Sequence, residues 1–494
     1  MATWLFSTLL SLPTASAPTW SDSEPALGLN AVSFTDCVIQ GPAGNGQARG
    51  QCATLHVPEN YDNPEGRTIG LRVFKLPSKH HTAQDDAVTF IQGGPGGSSV
   101  ELAIILGLQN SALRRKRDII LLDQRGTGQS ARLNCEFNDD QLLSFDSAQI
   151  QKLASQCVGQ LQKNADLRQY STSVAVKDLE SLRTALKYSR WNIIAGSYGT
   201  RVAQHYMRRY PLSVRTATLE GVVPPSIEIV SSVPLNAQAA LDNLFEQCAS
   251  TPQCHSAYPK LKEHFNVARM HVRANPQTLE LAHPTTAIKE PFELNDGAFN
   301  LAVRMMLYSP ESKSLLPLLL QEAAKGNLEP IAAQAMLFST QLSESMSTGM
   351  HNSVVCSEDM SKLSLSSAQQ KAIEQTFLGI EFVDLMRSIC ASWPKGAIDD
   401  DFFDTLESEH QVLLISGEYD PVTPPSNAEL AAKYYTNSLQ VTAPGQGHSL
   451  YHPACSRGLI NDFVASGVVA KLDTECFERL DGPPFFINSL GYAP

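Results

Sequence analysis

Three residues far apart in the chain have the types needed for nucleophilic acyl transfer. Ser197 lies in Ala195-Gly196-Ser197-Tyr198-Gly199, between an apolar run, Trp191 to Ala195, and a helical pattern, Thr200 to Tyr210. Small residues around a serine on a strand-to-helix turn let its hydroxyl stand clear at the top of a sheet, because the turn is tight and crowded. Asp420 follows the apolar run Val412 to Ile415, in Gly417-Glu418-Tyr419-Asp420-Pro421. His448 follows Leu439 to Thr442, in Gly445-Gln446-Gly447-His448. In such a set the histidine takes the serine proton, and the acid fixes the imidazole tautomer and stabilises the imidazolium. Ala195 stands where the usual pattern has a glycine, and alanine is the smallest substitute. His452 is the neighbouring alternative to His448, but no glycine-rich turn precedes it.

A tetrahedral intermediate also needs two N–H donors aimed at its developing oxyanion. The backbone N–H of Tyr198, the residue after the nucleophile, is one candidate. The other is expected in the loop Gly93-Gly94-Pro95-Gly96-Gly97, with Gly94 as the donor, since glycine lets the backbone approach a substrate closely. The loop matches neither G-x-x-x-x-G-K-[ST] nor G-x-G-x-x-G, so it does not read as a phosphate cradle.

The elements that must hold these groups alternate between strand and helix. Ile69 to Phe74, Ala87 to Ile91, Asp118 to Leu122, Trp191 to Ala195, Thr216 to Leu219, Val412 to Ile415 and Leu439 to Thr442 read as strands. Val174 to Tyr188 has Val176, Leu179, Leu182 and Leu186 at helical spacing. This rhythm predicts an α/β chain of the α/β-hydrolase fold: a mostly parallel central sheet with helices on both faces. The order serine, acid, histidine, each at the carboxyl end of a strand, is the order of that fold. From Pro224-Pro225 to about Asp404 the pattern is helical, as in Leu301 to Leu307, Leu315 to Ala324 and Ala368 to Leu378. The expected organisation is therefore a signal at 1–17, a core segment at 18–225, a mainly helical cap insertion at 226–405 and a second core segment at 406–494.

Composition narrows the partners. The 494 residues are 43% hydrophobic and 18% charged, with a formal net charge of −12, which suits a large buried core and not a nucleic-acid backbone. The one dense basic run, Arg114-Arg115-Lys116-Arg117, reads as a solvated helix end. No segment beyond the N-terminus is apolar for long enough to span a membrane. The ten cysteines fall along the chain as neighbouring couples, Cys37/Cys52, Cys135/Cys157, Cys248/Cys254, Cys356/Cys390 and Cys455/Cys476, none with C-x-x-C spacing. Even number and clustering favour disulfides over metal sites, although sequence leaves their connectivity open. Trp4 to Leu12 with Ala15-Ser16-Ala17 resembles a secretory signal, so the expected location is secreted or periplasmic. No metal and no organic cofactor is expected.

The chain resembles the proline iminopeptidase and tripeptidyl aminopeptidase family of α/β-hydrolases over nearly its whole mature length. The resemblance is carried by Cys52-Ala53 with Val57-Pro58, Gly93-Gly94-Pro95-Gly96, Asp123-Gln124-Arg125-Gly126-Thr127-Gly128 and Gly196-Ser197-Tyr198-Gly199-Thr200. Further pieces are Cys356-Ser357-Glu358-Asp359, Trp393-Pro394, Asp420-Pro421-Val422-Thr423-Pro424, Gly447-His448, and Cys476 with Pro483-Pro484-Phe485. It implies a helical cap over the site and release of residues from a free peptide N-terminus. Gln92 stands where proline iminopeptidases usually carry histidine, which is similar to the tripeptidyl branch, and Glu220 stands where many relatives have aspartate. Recognition of an ammonium group requires a desolvated carboxylate near the cleft, with Glu358, Asp359 and Glu220 as candidates. The expected partners are thus peptides with a free N-terminus. An esterase or amidase with the same triad, and a silent hydrolase fold serving as a binding protein, are the alternatives.

Overall fold

The computed structural model describes residues 31–41, 46–135, 146–448 and 453–492. The signal read at 1–17 and the alternative His452 lie outside them. Nine strands form the central sheet: β1 (Thr35–Gln40), β2 (Gln47–Pro58), β3 (Thr68–Leu76), β4 (Ala87–Ile91), β5 (Ile119–Leu122), β6 (Trp191–Gly196), β7 (Val214–Glu220), β10 (Ser408–Gly417) and β11 (Tyr435–Ala443). Their order is β1-β2-β3-β5-β4-β6-β7-β10-β11. From β5 across to β11 all neighbours are parallel, while β1, β2 and β3 join antiparallel at one edge. The antiparallel β1–β2 edge has no counterpart in the sequence reading, because its strands mix polar and apolar residues without an unbroken apolar run, and β1 is mostly exposed.

The parallel strands read as unbroken apolar runs because both of their faces are covered. In β5, Ile120 and Leu122 enter one apolar cluster, and Ile119 and Leu121 enter the cluster on the other face. In β10, Val412 and Leu414 divide from Leu413 and Ile415 in the same way. Helices Thr172–Ala185 and Tyr198–Arg209 cover the first face through Val176, Leu179, Leu182, Val202 and Tyr206. Helix Ala454–Ser466 covers the second through Leu459, Ile460 and Phe463.

Between β7 and β10 the chain is mainly helical, as expected, but it also contains an antiparallel hairpin, β8 (Gln277–Ala282) with β9 (Lys289–Leu294). Leu244, Phe265, Phe299, Leu320 and Met336 belong to an apolar cluster of this region's own. Its later helices behave differently. Met350 and Val354 of helix Thr348–Ser357, and Ile389 of helix Glu381–Cys390, join the cluster under the sheet. The basic run is less solvated than its composition suggests. Arg114 donates to the carbonyls of Pro77 and Gln109, and Arg117 pairs with Asp86.

All ten cysteines are paired, and each pair joins sequence neighbours: Cys37–Cys52, Cys135–Cys157, Cys248–Cys254, Cys356–Cys390 and Cys455–Cys476. Disulfides in this number fit an oxidising compartment. No helix among the described residues is long and apolar enough to cross a membrane.

Candidate active site

Ser197 joins β6 to helix Tyr198–Arg209 with φ of 54° and ψ of −129°, a conformation rarely adopted by a side-chain-bearing residue. Its own N–H bonds the carbonyl of Glu220 at 2.8 Å, and its carbonyl accepts from the Thr200 N–H and hydroxyl at 2.8 and 2.7 Å. Thr200 Oγ1 in turn accepts from Val223 N, which ties the turn to the end of β7. Of the small residues around the serine, Gly199 is the one that contact demands, since a Cβ there would collide with the carbonyl of Ile91. A Cβ on Gly196 would meet open space, and Ala195 is fully buried in the strand.

Asp420 and His448 lie beyond the carboxyl ends of β10 and β11. Asp420 Oδ2 is 2.8 Å from His448 Nδ1, which the carboxylate holds as an N–H donor. Asp420 Oδ1 accepts from the backbone N–H groups of Val422 and Thr423 at 2.8 Å, and Oδ2 accepts from Thr423 Oγ1 at 2.7 Å. Burial alone would raise the Asp420 carboxyl, but His448 and the Thr423 bonds outweigh it and hold it below the usual carboxylate range. The histidine loop is seated from above. His448 N–H donates to the carbonyl of Tyr308 at 2.8 Å, and the Tyr308 ring meets the imidazole edge-on at 5.1 Å.

The glycine loop after β4 approaches the serine closely. A Cβ on Gly93 would lie 2.8 Å from Ser197 Cβ. The Gly93 N–H is taken by Gln92 Oε1 at 3.1 Å, and Gly94 follows it in the cavity wall. The N–H of Tyr198, first residue of its helix, has no intrahelical partner. Two neighbours hold this loop. Asp123 accepts from Ser98 Oγ, Val100 N and Gln129 N, at 2.6, 2.9 and 3.1 Å, which gives the Asp123-Gln124-Arg125-Gly126 segment a structural role. From the helical region, Ser347 N–H donates to the Gly96 carbonyl at 3.0 Å, and His351 Nδ1 donates to the Pro95 carbonyl at 3.1 Å.

Ser197, His448, Gly94 and Tyr198 line one largely apolar cavity of about 650 Å³, roofed by the helical region. Its acidic and basic lining beyond His448 and His351 is Glu101, Glu220, Asp359 and Arg304. The three acids expected at the cleft meet different fates. Glu220, at the end of β7, lines the cavity, and burial pushes its carboxyl up to about 8. Asp359 lines it too, but Arg201 Nη1 holds both its oxygens at 3.0 and 3.1 Å. Glu358 is fully buried and does not line the cavity. Its carboxylate accepts from Thr172 N and Oγ1 at 2.8 and 3.1 Å, at the amino end of helix Thr172–Ala185, where an anion is favoured.

Sequence reasoning gave no role to Thr423, Glu101, Tyr308 or His351. Thr423 carried a usable signal, since a threonine three residues after an aspartate can close a turn on its carboxylate. The other three reach the cavity through tertiary packing and have no local signature.

A family model described as alpha/beta hydrolase fold matches residues 86–454. The chain is 22% identical over 486 residues to the serine protease Hip1 of Mycobacterium tuberculosis, covering 92% of each chain. It is 25% identical over 460 residues to carboxylesterase B of the same species, covering 86% of each. To the tripeptidyl aminopeptidase of Streptomyces coelicolor it is 26% identical over 192 residues, 36% of each chain.

Proposed function

The chain belongs to the α/β-hydrolase fold family, and from that premise we propose that this serine hydrolase is an exported exopeptidase that cleaves peptides near their free N-terminus. The observation that carries the reading is the acid lining of the cavity: Glu101 and Glu220 face it with no ion-pair partner among the described residues, while Asp359 is neutralised by Arg201. An acidic, largely desolvated pocket beside the nucleophile favours a cationic end group. The peptidase names of two of the matched relatives point the same way. The disulfides and the N-terminal apolar run support export.

In this reading Ser197 Oγ attacks the scissile carbonyl while His448 takes its proton, and Asp420 stabilises the imidazolium. The oxyanion is received by the N–H groups of Tyr198 and Gly94. His448 then returns the proton to the leaving amine, and water resolves the acyl-enzyme by the same steps in reverse. Residues 226–405 act as the lid that excludes bulk water and admits an unfolded chain end.

The match to carboxylesterase B and the apolar lining of the cavity favour an esterase as second reading. A fluorophosphonate probe should label the protein, and Ser197→Ala should abolish the label. Fluorogenic prolyl, alanyl and tripeptidyl amides, each with a free and an acetylated N-terminus, then separate the two readings. An exopeptidase prefers the free amine by at least about tenfold, the worth of one charge-assisted contact. Equal rates on both members of each pair, with faster cleavage of the matching esters, would establish the esterase.

A further inference from the structure

We propose that Glu220 is the receptor for the substrate's N-terminal ammonium, its carboxylate forming the ion pair that anchors the free amine beside the nucleophile. This rests on the exopeptidase reading above and names the group that reads the amine. Glu220 is the ladder partner of Gly196, and its carbonyl accepts the Ser197 N–H at 2.8 Å, so its side chain leaves the backbone next to the catalytic turn. It lines the cavity, is only 9% exposed, and its Oε1 is buried with no hydrogen-bond partner. Burial is the influence acting on its ionisation, with no neighbouring cation to offset it. A buried carboxyl left in that state costs stability in every resting molecule. A positioned ammonium, with several donors and a full charge, removes that cost when it binds.

The other acids are already engaged or less deeply buried. Both oxygens of Asp359 lie on the buried guanidinium of Arg201, and Oδ1 also accepts from Ile229 N at 3.1 Å. Glu358 is bonded to Thr172 and stands outside the cavity lining. Glu101, at the amino end of the short helix Leu102–Ile105, is half-buried and less deeply enclosed than Glu220, burial pushing its carboxyl up to about 7. The ligand class that completes Glu220 is therefore a primary or secondary ammonium with an apolar body to fill the rest of the cavity.

The test compares the wild-type enzyme with Glu220→Gln, Glu220→Asp and Glu101→Gln on free and acetylated amide pairs, and measures competitive inhibition by n-butylammonium. Thermal melting and fluorophosphonate labelling check that each variant is folded. Glu220→Gln should lower the free-to-acetylated ratio of kcat/KM at least about tenfold, chiefly through KM, and weaken butylammonium inhibition by a similar factor. Glu220→Asp should fall between, and Glu101→Gln should lower both by less than Glu220→Gln does; the reverse order would make Glu101 the receptor and overturn the role of Glu220. A Glu220→Gln enzyme that keeps the wild-type ratio and inhibition overturns the role of Glu220 while leaving the exopeptidase reading in place. If the wild type itself ignores acetylation, the exopeptidase reading falls, and butylammonium inhibition alone judges Glu220. Should the glutamine variant not fold, Glu220→Asp decides: inhibition weakened by more than about twofold supports the role, and unchanged inhibition overturns it.

Discussion

Arg201, one helical turn after the nucleophile, grips Asp359 of the helical region through a single nitrogen, 3.0 and 3.1 Å from the two carboxylate oxygens, both side chains being almost wholly buried. Its other terminal nitrogen donates to the Ile227 carbonyl, and Asp359 Oδ1 receives the Ile229 N–H. The pair thus fastens the helix that starts at the serine to the chain that leaves β7 and to helix Asp359–Lys362. Removing Asp359 leaves the buried guanidinium only Glu358, 3.9 Å from Nη1, as a carboxylate partner. Asp359→Asn is expected to cost about 3–5 kcal/mol, measured as a lowered urea midpoint. A loss under about 1 kcal/mol would show that Glu358, 3.9 Å from the same nitrogen, takes over the guanidinium.

Thr423 bears directly on the catalytic acid. Its hydroxyl bonds Asp420 Oδ2 at 2.7 Å and lies 3.2 Å from His448 Nδ1. Thr423→Val keeps the shape and removes a bond to a charged acceptor worth about 1.5–3 kcal/mol. The expected result is a kcat lower by about ten- to a hundredfold with KM little changed. A change confined to KM would place Thr423 in substrate contact instead.

The glycine loop depends on the helical region. His351→Ala removes the donor to the Pro95 carbonyl, and burial already keeps that imidazole in its neutral form. The loop that presents the Gly94 N–H then loses one of its two ties from this region, the other being Ser347. Steady-state kinetics on a free-amine amide should show a kcat reduced by about tenfold, less than the roughly hundredfold or more that outright loss of an oxyanion donor costs. His351→Gln, which retains an N–H donor, should recover part of it.

Glu220 should leave a mark on stability against pH. Its folded value of about 8 lies above the ordinary 4.5, so the unfolded chain gives up the proton first, and stability falls as pH rises from about 4.5 through 8. Glu220→Gln removes that penalty. The variant should gain on wild type by at least about 1 kcal/mol between pH 5 and pH 9, the worth of roughly one pKa unit, read from urea midpoints at the two pH values. Parallel curves for the two proteins would show that the carboxyl is hydrated in solution.

The disulfides differ in reach. Cys356–Cys390 spans a sequence separation of 34 residues and joins helix Thr348–Ser357, which bears His351, to helix Glu381–Cys390. Cys248–Cys254 spans 6. Loop-closure entropy assigns about 4 kcal/mol to the first and about 2 kcal/mol to the second. Replacing each pair with serines and comparing melting temperatures should give the larger drop for Cys356/Cys390.

The amino-acid sequence by itself determined what is local. Strand-to-helix rhythm, the small residues around Ser197, and the turns carrying Asp420 and His448 depend on a few neighbouring residues, so they were legible, with strand ends accurate to a few positions. The alternation of Ile119 to Leu122 between two clusters shows why these strands could be read: faces buried on both sides leave unbroken apolar runs. The cysteine couples were legible for a related reason, since each disulfide closes a short stretch of chain. Tertiary structure alone decided which carboxylate faces the cavity. Glu358 and Asp359 are adjacent, yet one caps Thr172 and the other meets Arg201, because their partners come from distant helices. The roof over the site likewise arises from long-range contacts, Tyr308 on His448 and Ser347 on Gly96, that no spacing announces. Glu220 could be read as an acid at a strand end. That no cation among the described residues pairs with it depends on what the fold places around it.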